Sequence, residues 1–203
     1  MRFVLVWATL ASPRPPEPIV ESFELRHTYS ASRAAVWAAL DSPEYTALRT
    51  EHGQRPDAKV TQTILSDSLD GQKRVRRIRH TLQRALPRMM QRFTGPQLSY
   101  IVTEHIDPST FTVAWTATPE VDRGGRAVDR RIRIEGSYAF RDLPGSQATC
   151  ERIVKVEIHV AIPGLGRRIE QGIATSLRTT HESSALLARQ FLEARLRPQG
   201  SPA

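Results

Sequence analysis

Towards the C-terminus the spacing of apolar residues changes from two to between three and four. Val154, Val156, Ile158, Val160 and Ile162 alternate with Ile153, Lys155, Glu157 and His159, the period of a half-buried strand. Beyond Pro163-Gly164-Leu165-Gly166, the stripe Ile169, Ile173, Leu177, Thr180, Ser184, Leu187 and Phe191 recurs every three or four residues, as on an amphipathic helix. A helix of roughly thirty residues is about 45 Å long and needs a wide sheet to lie on. Thr180 and Ser184 make the middle of the stripe small and polar between two apolar ends. A curved sheet laid along it would therefore leave a hollow instead of a solid core.

The same reading orders the rest of the chain. Phe23, Leu25, His27 and Tyr29 alternate with Glu24, Arg26 and Thr28 in a first half-buried strand. Ser30 or Ser32 can cap a helix through Val36, Trp37 and Leu40, and Pro43 can open a second short helix through Tyr45 and Leu48. Asp70-Gly71 between residues 58–69 and 72–82 is a strong hairpin signal. A two-residue loop there sets Ile64 with Arg77 and Gln62 with Arg79 on one face, and Leu65 with Arg76 and Thr63 with Ile78 on the other. Neither face is cleanly apolar, which predicts a bulge or a wet pocket wall. Leu86 to Phe93 reads as a turn or one short helical piece. Leu98 to Ile106 and Phe111 to Thr118 form a second hairpin about Asp107-Pro108-Ser109-Thr110, and 120–129 reads as a loop. Ile132, Ile134, Gly136, Tyr138 and Phe140 share one face of the next strand, which Leu143-Pro144-Gly145 turns into the last. An antiparallel sheet with one covered face accommodates this order.

Composition narrows the classes. The 203 residues suit one domain able to bury a core and still leave a pocket. One cysteine, Cys150, excludes an internal disulfide and a cysteine-based zinc cluster. The net charge of +8 rests on 29 basic residues, nearly all arginine and interspersed with acids. That pattern reads as genome composition before it reads as a phosphate-binding surface. The densest group, Arg74, Arg76, Arg77 and Arg79, has no interleaved aromatics, so it predicts a solvated or weakly membrane-facing strand and argues against nucleic acid. Residues 1–20, with the apolar run Phe3 to Ala11 and a proline-rich end, read as a disordered or signal-like leader. The run is too short to span a bilayer, and the expected location is the cytoplasm, with secretion the lesser alternative. Residues 198–203 are a short tail.

The element order, with Phe23 to Trp37 at the front and Val160-Ala161-Ile162-Pro163-Gly164-Leu165-Gly166 leading into Arg168-Ile169-Glu170 at the back, resembles the START-like (SRPBCC) helix-grip superfamily, in one of its uncharacterised bacterial branches. The likeness covers residues 21–197. It implies an α+β fold, a curved antiparallel sheet of about seven strands wrapped around a long C-terminal helix, with two short helices after the first strand. Relatives bind lipids, sterols, quinones or polyketides between sheet and helix, and some act as cyclases. No invariant catalytic residue carries over.

Candidate residues follow from the inward faces. Phe23 and His27 on the first strand, Tyr100, Val102 and Glu104 on the fourth, and Trp115 on the fifth are expected around the hollow. Tyr138, Val156 and Ile158 on the last two strands, and Ile173, Leu177, Thr180 and Ser184 on the helix, complete the set. His27 is either a ligand donor or acid–base group, or a core histidine satisfied by a neighbour. Glu104 either pairs inside with Arg77 or Arg79 or reaches water from an edge. Trp115 and Tyr138 serve as flat pocket walls or as plain core aromatics. Gly164 and Gly166 before Arg167-Arg168 either receive an anionic head group or only permit a sharp turn. His80, His52 and His181 have no ligand spacing, and no metal or cofactor is expected. The leading expectation is a non-enzymatic protein that binds one small hydrophobic ligand, lipid or polyketide-like, for transport or sensing. The alternatives are a cyclase- or aromatase-like enzyme using His27 or Glu104, and a basic adaptor for anionic membrane or nucleic acid. Neither the ligand nor the oligomeric state is legible.

Overall fold

Among the described residues seven strands form a single antiparallel sheet, with two short helices after the first strand and one long helix after the last. The computed structural model describes residues 21–52, 59–83, 98–120, 131–145, 148–162 and 164–196. The leader, the Leu86–Phe93 turn, the 121–129 loop and the tail lie outside the described residues. Strands β1 (Glu21–Tyr29), β2 (Lys59–Asp70), β3 (Lys73–Gln83), β4 (Leu98–Asp107), β5 (Thr112–Glu120), β6 (Ile132–Asp142) and β7 (Cys150–Val160) stand in the order β1-β7-β6-β5-β4-β3-β2. The helices are α1 (Arg33–Leu40), α2 (Pro43–His52) and α3 (Gly166–Leu196).

Local chemistry sets the helix ends. Ser32 Oγ accepts from the Ala35 N–H at 3.3 Å and caps α1. Ser42 accepts from the Tyr45 N–H at 3.2 Å and donates to the Ala39 carbonyl at 2.7 Å, so one hydroxyl ends α1 and starts α2 at Pro43. Of the two outcomes expected for the β2–β3 hairpin, a bulge or a wet pocket wall, it carries a bulge. Its register shifts between Ile64 and Ser66, which sets Ile64 opposite Ile78 and Asp67 opposite Arg76. The extra residue changes which side chains share a face on either side of the bulge, while Ile64, Leu65 and Leu69 stay exposed.

The joint between β7 and α3 is built by close packing. Gly164 has φ +75°, a conformation that favours glycine. A Cβ on Gly166 would lie 2.3 Å from the Val160 carbonyl oxygen, so no side chain fits there. Buried Glu170 closes the joint by accepting from the Val160 N–H at 2.7 Å. Both glycines are thus accounted for by the turn, and Arg167 and Arg168 point to solvent.

Two apolar clusters flank the middle of α3. One joins Tyr29, Val36, Tyr45, Phe140 and Cys150 to Leu187, Ala188 and Leu192, with Trp37, Phe111 and Phe191 packed on it. The other joins Phe23, Trp115, Ala117, Val154, Val156, Ile158 and Val160 to Ala174, with Ile169, Ile173 and Leu177 against it. Cys150 is a free, buried thiol whose pKa burial pushes up to about 11.

Candidate functional site

Sheet register decides which residues meet under α3. His27 on β1 stands opposite Arg152 on β7, and the next strand contributes Phe140 opposite Arg152 and Tyr138 opposite Val154. From above, His181 on α3 lowers its backbone carbonyl and ring onto the same spot. Arg152 donates through Nη2 to His27 Nδ1 at 3.4 Å and to the His181 carbonyl at 3.3 Å. The guanidinium carbon lies 6.0 Å from the Tyr138 ring centroid, and the His181 ring lies 6.5 Å from that of Trp115. The gap between the two apolar clusters is therefore a polar layer, with Tyr138 touching both.

Its electrostatics follow from burial around one cation. His27 is 6% exposed and Arg152 8%. Burial, reinforced by the Arg152 charge, lowers the pKa of both His27 and His181 to about 4, so both rings are neutral at pH 7. With Arg152 donating to Nδ1, the His27 proton resides on Nε2. Burial pushes the Tyr138 hydroxyl up to about 12, with the Glu104 charge adding to the rise.

A second polar pair sits further round the inner wall. Glu104 Oε2 accepts from Arg76 Nη2 at 2.7 Å and from Nε at 2.9 Å, and both side chains are largely buried. Beside it His80 stacks on Tyr100, centroids 5.0 Å apart at 4°, and burial lowers the His80 pKa.

The inner wall is not evenly sealed. Inward residues of β7 are buried throughout, whereas Tyr100, Val102, Ile106, Ile132, Ile134 and Tyr138 face inward and are only partly buried. On the sheet, α3 packs chiefly against β1 and β7. The accessible area on β4 and β6 thus lies on strands other than the two that α3 chiefly covers. Trp115 is buried beside it. A Cβ on Gly136 would stand 2.2 Å from Trp115 Cζ2, so the indole lies across β6 only because residue 136 has no side chain. A different hollow of about 330 Å³ lies at the Lys73–Asp107 end, lined by outer-face residues including His105, Ala114 and Ser137. It is separate from the space under the helix.

The structure brings most of the candidate residues to one place. Phe23, Trp115, Val156 and Ile158 are buried in one cluster, with Tyr100, Val102, Ile173 and Leu177 against it. Ser184 is half-buried, and its carbonyl accepts from the Tyr45 hydroxyl at 3.4 Å. Thr180 requires correction: it is exposed, its hydroxyl donates to the Ser176 carbonyl at 2.9 Å, and His181 occupies the inward position. The stripe turns through Leu177 to His181 and Ala185, spacings of four.

The partner of Glu104 is likewise Arg76 and not Arg77 or Arg79. In the β3–β4 register Arg76 stands directly opposite Glu104, while Arg79 points the other way and pairs with Glu120 at 2.6 Å. Arg74 pairs with Asp67. The four arginines are thus divided between two faces, and three of them are neutralised. Arg152 and His181 were missed, although the sequence signal existed. Arg152 has the parity of Val154 and Val156, and His181 lies four residues beyond Leu177.

A family model described as "Protein of unknown function (DUF2505)" matches residues 24–196. No curated protein matches the sequence. Among solved structures the chain is similar to the Zhui aromatase/cyclase from Streptomyces sp. R1128, with a TM-score of 0.58 and 12% identity over 91% of this chain and 100% of that one. It is also similar to norcoclaurine synthase from Thalictrum flavum, solved with dopamine and hydroxybenzaldehyde (TM-score 0.51, 14% identity, 99% of each chain). A third likeness is to Ara h 8.0201 (TM-score 0.51, 13% identity, 86% of this chain and 99% of that one). At these identities the likeness is one of fold, and the fold is the START-like helix grip. No described helix is long and apolar enough to cross a membrane.

Proposed function

Because the chain belongs to the DUF2505 family, whose description assigns no activity, we propose from the site itself that this protein binds one hydrophobic ligand between the inner sheet face and α3. The observation that carries the reading is the partly accessible state of inward apolar residues on β4 and β6, beside a helix that packs chiefly against β1 and β7. Apolar side chains in a solid core would touch protein on all sides. Here their remaining surface gains by meeting a ligand, at about 25 cal/mol per Å² of apolar area before binding costs.

The test is native mass spectrometry of delipidated protein after exposure to a cell lipid extract, with Val102→Trp as the blocked control. Uptake by the native chain and none by the folded variant is the expected result. Protein that stays ligand-free throughout would sink the reading.

A second reading has its own observation. His27 and His181 remain neutral under Arg152 and in the same layer as the Tyr138 ring, which is the form a general base requires. On that reading the site would act on a polar, carbonyl-bearing ligand. Turnover of poly-ketone substrates lost in a folded His27→Ala protein would support it, and turnover indifferent to both histidines would remove it.

A further inference from the structure

Arg152 is a buried cation without an anion. Among the described residues no carboxylate lies within ion-pair distance of it, and only two acceptors, His27 Nδ1 and the His181 carbonyl, serve its five N–H donors. Its Nε is fully buried with no partner. Its Nη1 has no hydrogen-bond partner among the described residues either. On the paired strand the Tyr29 hydroxyl is a further buried group without a partner. Leaving a charge in this state is destabilising by several kcal/mol per ion unless an opposite charge arrives.

The other interior charges do not supply it. Glu104 is committed to Arg76, and Glu170 to the Val160 N–H at the start of α3. Both neighbouring histidines are neutral. Half-buried Arg49 on α2, itself without an ion-pair partner among the described residues, adds positive potential at Tyr138, Tyr45 and His80. The interior thus carries excess positive charge at the polar layer and apolar wall beyond it.

We propose that the ligand is a monoanionic amphiphile whose carboxylate is received by Arg152 at the polar layer, with its apolar tail lying along Val102, Ile134 and Leu177. This deepens the ligand-binding reading and rests on it. A carboxylate matches the planar guanidinium and its unused donors. One unpaired guanidinium in the layer matches a single negative charge, and a phosphate dianion would remain half unpaired. The tail direction follows from packing, since the cluster on the other side is closed by Val36, Phe140 and Leu187.

The experiment compares laurate with dodecanol, equal in chain and different only in the head, by isothermal titration on the native chain and on Arg152→Gln. The native protein should prefer laurate at least tenfold, about 1.4 kcal/mol. Arg152→Gln should bind dodecanol as before and lose the preference, and laurate should raise the Tm of the native chain more than that of the variant. Should the glutamine variant fail to fold, Arg152→Lys, which keeps the charge, should retain a preference for laurate. Equal affinity of the native chain for both probes would overturn the head-group assignment and leave the ligand-binding reading standing. A preference that survives in folded Arg152→Gln, or vanishes in folded Arg152→Lys, would overturn the role of Arg152. No binding of either probe would overturn this inference, and the lipid-extract test separately decides the broader reading.

Discussion

The two ends of α3 rest on the same sheet but on different kinds of interior. Towards its C-terminus Leu187, Ala188 and Leu192 meet Tyr29, Val36 and Phe140 in a cluster that α1 and α2 close from the side. Rings of Trp37 stand edge-on to Phe111 and Phe140 there, at 5.7 and 5.9 Å, a favourable aromatic geometry. Towards its N-terminus Ile169, Ile173 and Leu177 face an apolar wall in which β4 and β6 keep partly accessible side chains. The contrast teaches that a helix grip packs tightly where short helices add to its side and leaves inward side chains only partly buried where the long helix covers the sheet alone.

The largest expected effect breaks the closed end. Phe140→Ala removes a buried ring from three aromatic contacts and should lower stability by about 3–5 kcal/mol, read by urea unfolding. A loss below 1 kcal/mol would show that this end is no better packed than the other.

Acid should act next, on the layer between the two ends. His27 is held neutral by burial, by Arg152 and by Arg189 from α3, and His181 by burial, Arg152 and His27. Their folded pKa values of about 4 lie below the unfolded value near 6.5, so the unfolded chain takes up protons first as pH falls. Stability is therefore full above pH 6.5 and drains down to about pH 4, by at most about 3 kcal/mol for His27. Unfolding midpoints followed across that window should fall in the native chain and fall less in His27→Gln. A flat profile would contradict the neutral-histidine layer.

Gly136→Ala tests the floor of the open end. The new methyl must displace the Trp115 indole, at a cost of about 1–3 kcal/mol, and should change Trp115 fluorescence and ligand uptake together. Unchanged uptake would separate Trp115 from the ligand space.

The smallest expected change sharpens the comparison most. Val102→Ala trims a side chain that is only partly buried, so it should cost under about 1 kcal/mol while weakening ligand binding. A cost equal to that of a fully packed valine would place Val102 in a closed core.

Much of the fold was legible in the chain because period-two and period-four patterns are local properties. Ser32, Pro43 and the Pro163–Gly166 turn announced where elements begin and end, and mixed faces about Asp70-Gly71 foretold the bulge at Leu65. The site was less legible, since it depends on which strand lies beside which. Thr180 was placed inward because a polar position was read into the stripe one residue too early. Arg152 was passed over because an arginine in an alternating strand looks like an outward residue, although its parity matches Val154.

The spacing of apolar residues alone determined the described strands and helices and their order, because each element must bury one face whatever its neighbours are. Only the tertiary structure decided that Arg76 meets Glu104, that His27 and His181 close on Arg152, and that Gly136 makes room for Trp115. These are contacts between residues distant in sequence, set by strand register and helix rotation, and a shift of one residue in either would exchange them for different partners.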